Sequence, residues 1–128
     1  LLHVGHVQFL AASRKMGDLL IVAIDDDASV RSLKGPGRPI INAEQRLRII
    51  SALDSVDYVL LFSTNRLQEV IETLRPDVLT KGSNYATDEV LGKEVAESLG
   101  GRVALIPVRE AVSATGVIDQ IKQGKGVC

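Results

Sequence analysis

Apolar residues along the chain fall into two rhythms. Leu19–Ile24 (LLIVAI) is an unbroken apolar run, and Asp57–Phe62, Val78–Thr80 and Val103–Ile106 carry shorter ones; these predict strands, the first buried on both faces. Between them lie segments whose apolar residues recur three and four apart, which predict helices. Val7–Met16 is the first, closed by Gly17, and Ala28–Leu33 is a short second. Lys34-Gly35-Pro36-Gly37-Arg38-Pro39 is a stiffened loop, after which Asn42, with Gln45 three residues on, caps a helix to about Leu53 that carries Arg46 and Arg48. Ser63-Thr64-Asn65 caps a helix over Arg66–Leu74, which Arg75-Pro76 ends. Thr87 or Asp88 opens another helix to Leu99, stopped by Gly100-Gly101. Ser113 is the N-cap of a final helix to about Ile121, and residues 121–128 form a tail.

Strands alternating with helices predict an α/β fold with a parallel sheet covered on both faces. Such sheets bind ligands outside the carboxyl ends of their strands. The polar and glycine-rich clusters Asp25–Arg38, Ser63–Asn65, Lys81–Tyr85 and Arg109–Thr115 all begin just after a strand. The opposite connections, Gly17-Asp18, Asp54-Ser55, Arg75-Pro76 and Gly100-Gly101, are short and plain. One edge of the sheet is therefore the functional edge.

The 128 residues suffice for a single domain with one core, and 45% hydrophobic with 24% charged content is that of a globular chain. A formal net charge of −1 and 3% aromatic residues give neither a basic field nor stacking platforms, so no nucleic-acid partner is expected. No apolar run reaches the length of a membrane span and no charged segment precedes an apolar signal core, so no membrane association is expected. The single Cys128 fits a reducing compartment and hence the cytoplasm. One cysteine and two histidines make a structural zinc site improbable.

Charge and composition leave a local anion site open, and the residues for one are present. His3-Val4-Gly5-His6 puts both histidines of the chain where a loop turns into a helix. A helix N-terminus carries unpaired N–H groups and partial positive charge, a glycine lets a phosphate come close, and two imidazoles can donate to it. The plain alternative is a frayed terminal His3 and a His6 that caps the helix. The same edge supplies Lys34, Arg38, Arg46, Lys81 and Arg109 as cations, Ser113 and Thr115 as hydroxyls at a helix start, and Asp25 to Asp27 as carboxylates. Cations and helix starts suit a polyphosphate, and a carboxylate beside them suits its Mg²⁺. Each has a plain reading too: Arg46 and Arg48 as a solvated face, the Lys34 loop as a turn, Ser113 as an ordinary cap, the aspartates as caps of the helix that follows. There is no Walker A loop, no G-x-G-x-x-G, and no residue set for a covalent nucleophile.

His3-Val4-Gly5-His6 resembles the HxGH signature of nucleotidyltransferases with the cytidylyltransferase-like, Rossmann-like three-layer α/β/α fold. Leu1-Leu2 before it, Lys34-Gly35-Pro36-Gly37-Arg38-Pro39, Val56-Asp57-Tyr58-Val59, Asp77-Val78-Leu79-Thr80-Lys81-Gly82, Tyr85 and Ser113-Ala114-Thr115 are most similar to the adenylyltransferase domain of ADP-heptose synthesis. The resemblance implies transfer of AMP from ATP, with Mg²⁺, to D-glycero-β-D-manno-heptose 1-phosphate, with release of pyrophosphate. It implies His3, His6 and Lys34 as catalytic groups. Gly5, His6, Arg46, Arg109, Ser113 and Thr115 would hold the nucleotide, and Asp27, Lys34, Lys81 and Gly82 the acceptor. It implies no protein-only metal site. Related chains often carry a sugar kinase, fused or separate, and often form homodimers.

The departures are specific. Asp25-Asp26-Asp27 stands where the family usually has Asn-Ser-Asp, Lys81-Gly82-Ser83-Asn84 where Lys-Gly-Gly-Asp is common, and Ser113-Ala114-Thr115 where Ser-Thr-Thr is usual. Val108-Arg109-Glu110-Ala111 lacks the Arg-Thr-Glu-Gly of glycerol-phosphate cytidylyltransferases, which argues against CTP. Two other functions stay open: transfer to another phosphate such as glycerol 3-phosphate, and a nucleotide-binding module without activity. The family also has a central strand before HxGH, which is missing from this chain, so the natural protein is expected to continue upstream of Leu1. An intact mass of the natural protein above that of these 128 residues is the expected result, and a mass equal to it would end the idea.

Overall fold

A computed structural model describes residues 3–39, 41–83 and 90–107, together with residues 118 and 122. Helix α1 (Val4–Arg14) leads to strand β1 (Ile21–Asp25), then α2 (Asp27–Lys34), α3 (Ala43–Ser51) and β2 (Tyr58–Phe62). A 3₁₀ turn (Thr64–Arg66) precedes α4 (Leu67–Leu74), which is followed by β3 (Val78–Gly82), α5 (Lys93–Ser98) and β4 (Arg102–Ile106). Ile118 and Lys122 are helical, whereas the rest of the expected Ser113 helix and the Thr87 and Asp88 openings lie outside the described residues.

The strands pair in parallel, as their alternation with helices requires. β1 lies along β2 from Ile21↔Tyr58 to Asp25↔Phe62, and β3 along β4 from Val78↔Arg102 to Gly82↔Ile106. Among the described residues these are two separate two-stranded ladders and not the one sheet expected, because no backbone hydrogen bonds run between them. Helix α3 packs on β1 and β2, α5 on β3 and β4, and α4 on α5. Helix α1 packs on β4 and is tied to β3 by the buried Ser13, whose hydroxyl donates to Thr80 Oγ1 at 3.0 Å.

The described core is Leu10, Ile71, Val90, Ala96, Ala104, Ile106 and Ile118, which concentrates it around β4 and its helices. β1 was expected to be buried on both faces, but its residues are half-buried and Ala23 is exposed. It also starts two residues late, and the reason is local. Leu20 N–H donates to the Asp57 carboxylate at 2.7 Å, while the Asp57 and Tyr58 amides both converge on Leu20 O, so the ladder begins only at Ile21. The same Asp57 oxygen takes Arg14 Nε at 3.0 Å, which pins the end of α1 to the amino ends of these strands.

Other boundaries move for equally local reasons. β3 runs on to Gly82 because Lys81 and Gly82 pair with Leu105 and Ile106, so these residues close a strand where a loop was expected. Helix α5 starts at Lys93 because Gly92 stands before it at φ 86°, a left-handed conformation that interrupts a helix. Ser63 makes no side-chain cap bond, and the 3₁₀ turn fills the place of the expected first turn of α4. Gly101, between α5 and β4, has no room for a side chain: a Cβ there would collide with Pro76 O and come within 3.1 Å of Ala96 O. Backbone carbonyls cannot rotate away as a side-chain tip can. Gly101→Ala is therefore expected to destabilise the fold by about 1–3 kcal/mol in urea unfolding. Gly17→Ala, whose nearest contact is Leu19 O at 3.9 Å, serves as the neutral comparison.

Candidate active site

The first turn of α1 is built from its own histidines. His3 is the N-cap in extended conformation, φ −139° and ψ 176°, and its Nδ1 accepts the Gly5 amide at 3.1 Å. His6 answers from the third helical position, where its Nδ1 accepts the His3 amide at 3.3 Å. The pair is a reciprocal capping box in which imidazoles replace the usual hydroxyl and carboxylate. This explains why the helix begins at Val4 and not at Val7. The rings lie 4.0 Å apart, tilted by 49°.

That box dictates the tautomer. A neutral imidazole nitrogen that accepts a hydrogen bond carries no proton, so each ring has its proton on Nε2. Both histidines thus keep an Nε2–H donor while Nδ1 secures the helix. The Gly5 amide itself is bonded to the cap. Although one side of His6 is exposed, burial of its other side holds its pKa below the ordinary imidazole value, helped by the positive charge of Lys34.

α1 runs antiparallel to the strands. Arg14, at its end, sits at their amino ends, and an 11-residue helix spans about 16 Å, as a five-residue strand does. Its histidines accordingly lie toward the carboxyl edge, where the sequence places them. Lys34, the last residue of α2, is near enough for its charge to act on His6, and it is exposed beside Gly35, which closes the helix at φ 88°. A cation there also suits the negative end of the helix.

The three aspartates where β1 passes into α2 are engaged within the protein. Asp25 Oδ1 accepts the Thr64 hydroxyl at 2.9 Å. Asp26 caps α2 by accepting the Ser29 amide at 2.8 Å; the Ser29 hydroxyl first, then that amide, and Ser63 and Arg46 after them, hold its carboxyl below the usual range. The plain reading of this run as a helix cap is therefore right for Asp26. Asp27 Oδ1 accepts Arg46 Nη2 at 2.9 Å. Ser29 Oγ in turn accepts the Thr64 amide at 3.0 Å, which explains why these hydroxyls do not cap α4. The serine and threonine partners were missed in the sequence, although Ser29 at three residues beyond Asp26 has the spacing of a capped amide. Among the described residues no three His, Cys, Asp or Glu side chains converge as a metal site.

Lys81 is exposed and Gly82 half-buried at the carboxyl end of β3. Arg109, Ser113 and Thr115 lie outside the described residues. An open groove of about 360 Å³ between β2 and α4, lined by Leu60, Phe62 and Leu74 among others, carries none of the expected site residues.

A profile described as Cytidylyltransferase-like matches residues 1–123. The chain belongs to the cytidylyltransferase-like family. It is 56% identical over 126 residues, 98% of its length, to the Bifunctional protein HldE of Desulfatibacillum aliphaticivorans, and 48% identical over 121 residues to that of Syntrophotalea carbinolica. It spans about a quarter of the length of these relatives, 26% and 25%. A lipopolysaccharide core biosynthesis protein from Thermoplasma volcanium has the same fold at TM-score 0.70 and 28% identity, over 88% of this chain and 90% of the other. The fold is the Rossmann-like α/β arrangement that the sequence suggested.

In this cytidylyltransferase-like domain the histidine box also sets an acid limit. The folded state disfavours the His6 proton and the unfolded state, at about 6.5, does not. Below that value the unfolded chain binds more protons, so stability that is full above it is lost as pH falls toward the lowered folded pKa. Urea midpoints are expected to drop between pH 7 and pH 5. In His6→Gln, which keeps an acceptor for the His3 amide but does not titrate, the drop should shrink; an equal drop would clear His6 of the effect.

Proposed function

We propose that this domain transfers AMP from ATP to a heptose 1-phosphate and releases pyrophosphate. The observation that carries the reading is the pair of Nε2–H donors, set by the His3–His6 box, with Lys34 close by. Its support on the acceptor side is the Lys34-Gly35-Pro36-Gly37-Arg38-Pro39 loop and the likeness to HldE and to a lipopolysaccharide core biosynthesis protein. An oxygen of the acceptor phosphate attacks the α-phosphorus as the bond from that phosphorus to the β-phosphate oxygen breaks, and pyrophosphate carries the electron pair away. No protein nucleophile takes part, so catalysis is positioning and stabilisation of charge on the phosphoryl oxygens.

His3 and His6 donate to those oxygens, Lys34 neutralises charge between nucleotide and acceptor, and Arg46 holds the nucleotide phosphates. Arg109, Ser113 and Thr115 complete the nucleotide side, and Lys81 and Gly82 meet the acceptor. The aspartates, already bonded within the protein, do not form a cage for Mg²⁺; the ion comes with ATP and is held chiefly by its phosphates. Among the described residues no helix is long and apolar enough to cross a membrane. We place the reaction in the cytoplasm, where ATP is supplied. The remaining three quarters of the relatives' length leave space for the sugar kinase that would make the acceptor.

The test crosses ATP and CTP with heptose 1-phosphate, glycerol 3-phosphate and other phosphate acceptors, with pyrophosphate release as readout. ATP with heptose 1-phosphate is expected to be fastest, and His6→Ala to reduce its turnover about 10²–10³-fold. Preference for CTP or another acceptor would overturn the substrate assignment. Tight ATP binding without pyrophosphate release on any acceptor would favour a binding module, and unchanged turnover in His6→Ala would remove the mechanism.

A further inference from the structure

Arg46 stands in the first half of α3, and its guanidinium is held by a residue at the start of α2. Its Nη2 donates to Asp27 Oδ1 at 2.9 Å, with side-chain exposures of 22% for Arg46 and 38% for Asp27. Its Nε is fully buried and has no hydrogen-bond partner among the described residues. A buried donor without a partner is uncommon, because desolvation of the N–H is then uncompensated. A guanidinium is planar and its donors are fixed relative to one another, so one bond to Asp27 restricts the orientation of the rest. Asp27 is itself held, since Asp26 beside it caps α2 and Asp25 is bound by Thr64.

We propose that Asp27 is a positioning residue that acts through Arg46: its carboxylate holds the guanidinium in one plane and leaves Nε–H for a phosphate oxygen of the nucleotide. The inference rests on the adenylyl-transfer reading. It moves Asp27 from direct contact with the acceptor, the role the resemblance implies, to support of the nucleotide side. The same bond joins the first turn of α2 to α3 across the connection that contains the Gly35–Pro39 segment, so it also holds Lys34 and Arg46 in register with each other.

The experiment is a double-mutant cycle on the full chain with ATP and heptose 1-phosphate, using Asp27→Asn, Arg46→Ala and both. Asp27→Asn is expected to lower kcat about 10²-fold, the typical cost of a small misplacement, with the heptose 1-phosphate KM little changed. In the Arg46→Ala background the same substitution should cost nothing more. Arg46→Lys, which keeps a charge for Asp27 but has no Nε–H in a plane, should not restore activity. A full Asp27→Asn effect in the Arg46→Ala background, or a raised acceptor KM at unchanged kcat, overturns the proposal. If Asp27→Asn fails to fold, Asp27→Glu is measured in the same way, with a smaller loss that again vanishes without Arg46. A second readout needs no turnover: the Arg46 Nε–H resonance should shift on ATP addition in the wild type, and should be broadened and unresponsive in Asp27→Asn. A wild type that transfers to no acceptor fails the functional reading, while this resonance still decides the positioning. Identical ATP responses in wild type and Asp27→Asn overturn it.

Discussion

Like charges at adjacent positions repel, yet Asp25, Asp26 and Asp27 stand together where β1 gives way to α2. Each is reconciled to its place by a different partner: a hydroxyl from the 3₁₀ turn, an amide of α2, and a guanidinium from α3. The parts of the site around them take their positions from these bonds. Asp25 draws the end of β2 and its following turn to the end of β1. Asp26 sets where α2 begins, which fixes where Lys34 ends it. Asp27 fixes Arg46. The extra negative charge relative to the usual Asn-Ser-Asp is thus met by local hydrogen bonds to charged acceptors, which are stronger than neutral ones.

The histidine pair works by the opposite logic. Its geometry is that of a ring whose Nδ1 accepts a backbone amide, an arrangement that leaves Nε2–H for an anion. One set of rings therefore closes a helix and presents the donors, so the site's geometry depends on the helix start and not on a mobile loop. Burial and nearby positive charge favour the neutral form of His6. An incoming polyphosphate would reverse the electrostatic part of this balance, because it brings negative charge to the same place.

The packing is uneven. Buried apolar residues gather around β4, α4 and α5, whereas β1 and β2 are half-buried and expose Tyr58 and Leu61. The functional edge therefore draws on two kinds of support. The β3–β4 side rests on close-packed apolar contact and on the absence of a side chain at Gly101. The β1–β2 side relies more on polar bonds, including the Arg14–Asp57–Leu20 junction at one end and the aspartate network at the other.

Strand–helix alternation was sufficient to foresee the class of fold, and the clustering of polar residues after strands singled out one edge of it as the place for a site. Both follow from periodicity and chain direction, which are local properties. The partners were not legible. Asp27 and Arg46 are nineteen residues apart, Asp25 and Thr64 thirty-nine, and Leu20 and Asp57 thirty-seven. No spacing rule joins residues that far apart, because their meeting depends on how helices cross over the sheet. The split into two ladders, the extension of β3 through Lys81 and Gly82, and the late start of β1 come from hydrogen bonds between distant strands. The sequence by itself determined the class of fold and which polar residues follow its strands. Only the tertiary structure decided which of them would be spent on one another and which would keep a donor for a ligand, because a side chain's spare hydrogen-bonding capacity is what its neighbours leave over.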